Sequence, residues 1–287
     1  MSRRGWVLFL AMSVIWGVPY LFIKVAVEEV SASVLVFTRT AVGALLLLPF
    51  ALPGIRRVPW RRYWRPAAAF AALEIVISWV LLAHAEQEIS SSFAGLLVAF
   101  TPVLSVLLAK ATGGAERLSP RRWAGLALGF GGVALLAAPG LAGGEALAVA
   151  EMLLVTVCYA TAPLIVSRYL QDVPSLPLTA VCLTGGALFY ALPAALTRPA
   201  HVPSGEALTA LAVLGVVCTG LAFVVFLALI REVGSSRSLV FTYVNPAVAV
   251  AAGVAFLDEP LTLGIAVAFV LILAGSLLAA GADPGAS

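Results

Sequence analysis

Long apolar windows free of charged residues alternate with short polar connections along this chain. The windows are 5–23, 89–109, 123–144, 173–197, 207–230, 238–257 and 260–282. A helix that crosses the hydrocarbon core of a bilayer needs about 20 mostly apolar residues. Periodicity does not locate these helices, because a helix inside a membrane bundle is apolar all round. Length and punctuation do. The predicted spans are 5–26, 33–52, 66–85, 92–110, 123–139, 146–167, 176–197, 207–229, 238–257 and 262–281. Pro53-Gly54, Pro59, Gly113-Gly114, Pro120, Pro139-Gly140, Gly143-Gly144, Pro174, Pro199, Pro203 and Glu259-Pro260 supply the breaks. Transmembrane strands would alternate apolar and polar over about 10 residues, whereas Ala207 to Ile230 is continuously apolar. The expected fold class is an all-α integral membrane protein with ten transmembrane helices.

Composition removes the soluble alternatives. Of 287 residues, 62% are apolar and 11% charged, against roughly 45–50% and about 25% in a soluble domain. A soluble fold would have too little polar surface, so a soluble enzyme and a nucleic-acid-binding domain are both excluded. Arg3-Arg4 followed by an apolar stretch looks like the start of a signal peptide. No small-x-small cleavage site ends that stretch, so the first helix is expected to be retained. Cys158, Cys182 and Cys218 lack metal-knuckle or CxxC spacing and are expected to be small buried side chains.

Charge placement sets orientation. The N-terminus and the even-numbered connections hold Arg3, Arg4, Arg56, Arg57, Arg61, Arg62, Arg65, Lys110, Arg117, Arg121, Arg122, Arg168, Arg231 and Arg237. The odd-numbered connections hold only Arg198. Both termini are therefore expected in the cytoplasm of a multi-pass inner or plasma membrane protein. Trp60, Trp64 and Trp123, beside these arginines, are expected to anchor at the interface.

The chain repeats itself at an offset of 144. Glu88, Ser91, Ser92 and Pro102 match Glu232, Ser235, Ser236 and Pro246, and Pro49 matches Pro193. With one gap, Glu116-Arg-Leu118 matches Glu259-Pro-Leu261, and Gly132 matches Gly275. Two units follow, 1–140 and 145–287, of five spans each. Five is odd, so the second unit starts on the opposite side and the two are inverted copies. Inverted repeats are a recurring architecture of secondary transporters working by alternating access.

The paired segments resemble the EamA family of the drug/metabolite transporter superfamily. The residues that carry this are Trp16-Gly17, Ser91-Ser-Phe-Ala-Gly-Leu-Leu-Val-Ala-Phe-Thr-Pro102, Glu116-Arg-Leu-Ser119 and Trp123-Ala-Gly125. In the second half they are Ser235 through Pro246 and Asp258-Glu-Pro-Leu-Thr262. The second copy departs at its first helix, with Tyr159-Ala160 in place of Trp16-Gly17. The resemblance covers nearly the whole chain. It implies a multi-pass transporter with both ends in the cytoplasm, in a family whose members include exporters of amino acids, metabolites and toxic compounds.

Ionisable groups at bilayer depth normally face a bundle interior or a wet cavity. Glu74 lies deepest and reads either as a cavity carboxylate for a cationic group or coupling proton, or as a carboxyl hydrogen-bonded between helices. Arg39 would pair with Glu74 or another carboxyl, bind a substrate carboxylate, or snorkel outward. Lys24 has Glu28 at i+4, and Glu151 would line an outer vestibule. His84, near Glu86 and Glu88, reads as a polar edge. Trp16, Tyr20, Tyr159, Tyr243 and Asn245 are candidates for the pathway wall, where aromatic faces hold amphipathic or cationic solutes. Pro19, Pro102, Pro163 and Pro246 would interrupt helices as hinges or kinks. Gly125-x-x-x-Gly129 with Gly131-Gly132 would pack within the bundle or against a second copy in a homodimer.

No phosphate-binding Gly-x-x-x-x-Gly-Lys run occurs, so energy would come from a proton or solute gradient, or transport would be facilitated diffusion. The expected partners are the lipid bilayer and a small-molecule substrate, with no cofactor, no metal and no nucleic acid. No pair of intramembrane Asp residues and no Ser–His pair at depth supports an enzyme. The leading reading is a secondary transporter, in particular an exporter, of small amphipathic metabolites or xenobiotics across the inner membrane. The alternative is a lipid-handling or structural membrane protein with the same cavity architecture.

Overall fold

The computed structural model describes residues 2–112, 119–143, 145–234 and 239–280, and these contain helices and no strand. Glu116–Leu118, Ser235, Ser236 and Arg237, used above for the repeat and for orientation, lie outside the described residues, as do Gly113-Gly114 and Gly144. The helices run in chain order. α1 is Arg3–Val27, broken between Ile15 and Pro19, and α2 is Ala32–Ile55. α3 is Trp60–Ala85, and α4 combines Ser91–Val98 and Thr101–Ala111. α5 is Pro120–Gly143, α6 is Ala146–Tyr169, α7 is Ser175–Leu196 and α8 is Gly205–Val233. α9 combines a 3-10 turn, Leu239–Tyr243, with Asn245–Phe256, and α10 is Leu263–Ala280. Among the described residues, seven helices are long and apolar enough to cross a membrane: α1, α2, α3, α4, α6, α7 and α8.

Local chemistry sets the helix starts. Ser2, Ser31, Ser90 and Ser204 each accept a hydrogen bond from the backbone three residues on, at 2.9, 3.3, 3.2 and 3.1 Å. These are N-caps that satisfy an otherwise orphaned N–H. Pro19, Pro102 and Pro246 sit in the first turn of restarting helices, where the missing N–H costs nothing. Pro163 does not interrupt its helix, which runs unbroken from Ala146 to Tyr169. α2 likewise continues through Pro49 and Pro53 to Ile55, past the expected end at residue 52. Transmembrane helices tolerate such prolines because neighbouring helices and local adjustment satisfy the freed groups.

α3 and α8 each contain a π-helical stretch, Ala72–Ile77 and Val213–Leu221. The two overlap when the chain is shifted by the 144-residue repeat. π segments appear mostly as single turns inside α-helices, frequently at functional sites. Hydrophobic patterning contains no sign of them.

Packing follows a regular scheme. α5 lies along α10, α2 along α7 and α4 along α9, while α1 packs on α8 and α3 on α6. Lipid tails are as apolar as leucine, so close backbone approach carries much of this association. At the α5–α10 crossing a Cβ on Gly275 would lie 2.5 Å from the Gly129 nitrogen and 2.7 Å from the Gly125 oxygen. Gly125 and Gly132 of α5 therefore pack against α10, Gly129 faces Val103 and Phe100, and Gly131 has open space around it. Phe50, Leu188, Leu192 and Leu263 point outward and are exposed, as expected of lipid-facing positions. Trp64 and Trp123 are exposed as well, with Arg65 5.3 Å and Lys110 5.4 Å from their rings.

Candidate functional site

Arg39, in the first half of α2, is 7% exposed. Its guanidinium stacks over the Trp79 indole of α3 at 3.8 Å from the ring centroid. Its Nε donates to Thr219 Oγ1 of α8 at 3.0 Å, and Thr219 Oγ1 in turn donates to the Leu214 carbonyl at 2.8 Å. That carbonyl is five residues back, as the π geometry of Val213–Leu221 provides. Among the described residues neither Nη nitrogen has a protein hydrogen-bond partner. A planar guanidinium so held presents a rigid two-donor fork.

The surrounding wall is aromatic. Tyr20 of α1 is buried, and Tyr159 of α6 is partly buried; both lie within electrostatic reach of Arg39. Tyr159 lies beside Trp79 and within electrostatic reach of Glu74. Trp16 donates through Nε1 to the Cys218 carbonyl at 3.3 Å, next to Thr219. Its ring sits among Phe223, Phe226 and Phe241 at 6.0, 5.2 and 5.3 Å. The break in α1 at Trp16–Val18 follows directly after this indole. A Cβ on Gly17 would lie 2.5 Å from Val248 Cβ, so α9 closes in on the break.

Glu74 lies in the π segment of α3, partly buried, with Cys158, Cys182 and Tyr159 as neighbours. No ion pair joins it to Arg39 among the described residues. Arg39 is held by an indole and a hydroxyl instead. On α-helical spacing Trp79, five residues beyond Glu74, need not share its face. The intervening π stretch makes five residues close to one turn, and both residues lie within electrostatic or hydrogen-bonding reach of Tyr159.

The remaining candidates lie elsewhere. Asn245 is positioned for its amide to donate to the carbonyls of Ser13 and Phe241, at 3.1 and 3.0 Å, which ties α9 to α1. Tyr243 is partly buried in the preceding 3-10 turn. Glu151 meets His84 at 2.9 Å, joining the ends of α6 and α3. Lys24 does not pair with Glu28; its Nζ donates to the carbonyls of Glu86 and Ile89 at 2.7 and 3.0 Å. Thr219 and the Cys218 carbonyl, both in the arginine centre, carry no sequence signal beyond lying in an apolar run. The doubled prolines and the intramembrane charge were the signals available.

A polytopic bundle of apolar helices with a buried, stacked arginine among aromatic side chains is the architecture on which the family comparison bears. The EamA-like transporter family profile matches residues 3–138 and again 146–281, and the chain belongs to that family within the drug/metabolite transporter superfamily. It is a multi-pass inner or plasma membrane protein that moves small solutes. It is 28% identical over 276 residues to the Bacillus subtilis (strain 168) protein named uncharacterized transporter YvbV, covering 95% of this chain and 90% of that one. A probable terminal-alkyne amino-acid exporter of Streptantibioticus cattleyicolor is 33% identical over 147 residues, 51% of this chain and 48% of that one. A solved crystal structure shares the fold with a TM-score of 0.66 at 21% identity, covering 97% of both chains.

Proposed function

We propose that this chain is a secondary transporter, and specifically an exporter, of small amphipathic solutes carrying a carboxylate, amino acids and related compounds foremost. The observation that carries the reading is the Arg39 centre. A buried guanidinium is stacked on Trp79 and fixed through Nε by Thr219, and its outer nitrogens are unengaged among the described residues. Those nitrogens fit a solute carboxylate bidentately. Tyr20, Tyr159 and Trp16 offer faces to its apolar part, and Glu74 offers a carboxylate to an amine. The half-length similarity to a probable amino-acid exporter supports the same substrate class.

The mechanism proposed is alternating access between two inverted units of five helices, 1–140 and 145–287, with both termini cytoplasmic. Three observations support it. The family profile matches the two halves in turn. Corresponding helices pack on each other, α2 on α7, α4 on α9 and α5 on α10, while α1–α8 is mirrored by α6–α3. The π stretches fall at overlapping positions of the two halves. The first-turn prolines Pro19, Pro102 and Pro246 mark where helices restart, and these are the hinges the mechanism uses. Tyr243 and Asn245 adjoin one hinge on α9, and Glu151 stands at the outer mouth of α6. Pro163 bends no helix break and serves as a kink.

The experiment is solute flux into proteoliposomes, with a panel of amino acids and cationic drugs, with and without an imposed pH gradient. Flux of carboxylate-bearing amphiphiles supports the reading. Flux confined to cationic drugs removes Arg39 from substrate binding. Absence of all solute flux in correctly inserted protein, with lipid headgroups moved instead, replaces the reading with lipid handling.

A further inference from the structure

The outer end of the bundle holds a carboxyl group that the Arg39 centre does not use. Glu86 directly follows α3 and is fully buried, at 0% exposure. Its N–H donates to the Leu82 carbonyl at 3.0 Å, which fixes its backbone just past the last turn. Neither Oε1 nor Oε2 has a hydrogen-bond partner among the described residues. An ionised carboxylate that is buried without a donor bears a large desolvation cost, whereas its protonated form does not.

The charged and titratable groups facing it come from each element around it. They are Lys24 and Tyr20 from α1, Arg39 from α2, and Glu259 from the α9–α10 connection. Lys24 directs its ammonium to the carbonyls of Glu86 and Ile89 rather than to the carboxylate. Glu259 accepts two backbone hydrogen bonds: Oε1 from the Ser91 N–H at 2.7 Å and Oε2 from the Ser92 N–H at 3.0 Å. It thereby caps the positive end of α4 across the two halves. The Glu259 carboxylate is thus hydrogen-bonded while the nearby buried Glu86 carboxyl is not, and a neighbouring anion further disfavours ionisation of Glu86. The Ser91 and Ser92 hydroxyls are likewise buried without partners. The interior at this end is therefore polar, and it gains hydrogen bonds when it opens to water.

Resting on the transporter reading above, we propose that Glu86 is a proton-binding site of the transport cycle: its carboxyl takes a proton from the outer solution, and the outer end of the bundle closes over it in the neutral form. A proton bound there would be the coupling ion. The balance is a single proton passing from bulk water to a carboxylate oxygen, with no other group changed.

The test uses purified full-length protein in liposomes, with Glu74→Gln as the background so that one intramembrane carboxyl is removed from the signal. Infrared titration is expected to show a protonated-carboxyl band that persists well above the ordinary carboxylate range, and that Glu86→Gln abolishes. Lys24→Gln, which removes a cation, is expected to move the midpoint up, and Glu259→Gln, which removes an anion, to move it down. Removing a charge within electrostatic reach of a buried carboxyl should shift its midpoint by on the order of one pH unit. Hydrogen exchange completes the test. Protection of amides 86–92 should fall by up to about tenfold per pH unit as pH rises from the ordinary carboxylate range to the midpoint, level off above it, and stay constant in Glu86→Gln. A band unaffected by Glu86→Gln overturns the proposal. So do midpoints that fail to move in opposite directions, and a midpoint set by sodium rather than by pH. Should Glu86→Gln not fold, the Lys24 and Glu259 variants decide alone. The titration needs no solute, so lost flux with this behaviour intact counts against the transport reading and not against the proton site.

Discussion

The stacking of Arg39 on Trp79 can be measured as a coupling energy. The guanidinium carbon is 3.8 Å from the indole centroid, and both side chains are less than a tenth exposed. A desolvated cation–π contact of this kind contributes about 2 kcal/mol or more, close to a thirtyfold effect on an equilibrium constant. Trp79→Leu removes the contact and leaves a buried cation with its Thr219 hydroxyl and less aromatic surface. The expected cost is about 3–4 kcal/mol, the cation–π contact plus the lost packing. Arg39→Met behaves differently. It removes the charge together with its desolvation penalty, and replacing a buried ion by an apolar side chain of similar size is often neutral or stabilising. Unfolding in mixed micelles, followed by far-ultraviolet circular dichroism, gives the free energies of the wild type, the two single variants and the double variant. Trp79→Leu should cost about 2 kcal/mol less in the Arg39→Met background than in the wild type. Equal costs in both backgrounds, within about 0.5 kcal/mol, would refute the stacking as an energetic contact, and with it the preorganised fork.

Further expectations follow from other parts of the fold. Gly275→Ala places a methyl group 2.5 Å from the Gly129 nitrogen, where backbone must shift; a loss of about 1–3 kcal/mol is expected, read as a lower Tm, while Gly131→Ala, with open space around it, should be silent. The Ser204 hydroxyl and its amide, 2.7 Å from Oε2, hold the Glu29 carboxyl below its ordinary value of 4.5. The tie between the α1–α2 and α7–α8 connections is therefore complete above that value and is lost as pH falls through the lowered one. The protection factor of the Ser204 amide should drop in acid, and Glu29→Gln should abolish this dependence. Membrane-impermeant labelling should place Trp60→Cys in the cytoplasm and His201→Cys outside; both on one side would break the inverted arrangement. Glu74→Gln should depress flux while insertion and Tm stay unchanged, and full flux would remove Glu74 from the pathway.

The helices were legible because the membrane imposes length and the absence of charge, both visible in a string of letters. Helix restarts at Pro19, Pro102 and Pro246 were legible as well, since proline lacks the N–H that a continuing helix needs. The π stretches were not. The i→i+5 hydrogen bond has no hydrophobic period of its own, and α-helical spacing therefore gave no reason to join Trp79 to Glu74. Arg39 stood out as a charge at depth, but its partners did not, because an indole and a hydroxyl in apolar runs look like packing. Glu86 was hidden for the opposite reason. A glutamate at the end of a span reads as a solvated connection, and only the packing of α1 and the Glu259 connection over it makes it a buried one. Lys24 misled through local pairing: Glu28 is its i+4 neighbour, but the carbonyls of Glu86 and Ile89 offer fixed acceptors inside the bundle.

Alternating access is the central claim, and position 159 reports on it most directly because Tyr159 is partly buried beside Trp79, Arg39 and Glu74. Tyr159→Cys, in a background with Cys158, Cys182 and Cys218 replaced by serine, is labelled with a membrane-impermeant thiol reagent from each face of oriented vesicles. The account predicts labelling predominantly from one face, shifting to the other when a transported solute is supplied on a single side. Simultaneous labelling from both faces, insensitive to solute, would describe an open pore, and no labelling from either face would describe a packed core; either result contradicts the account.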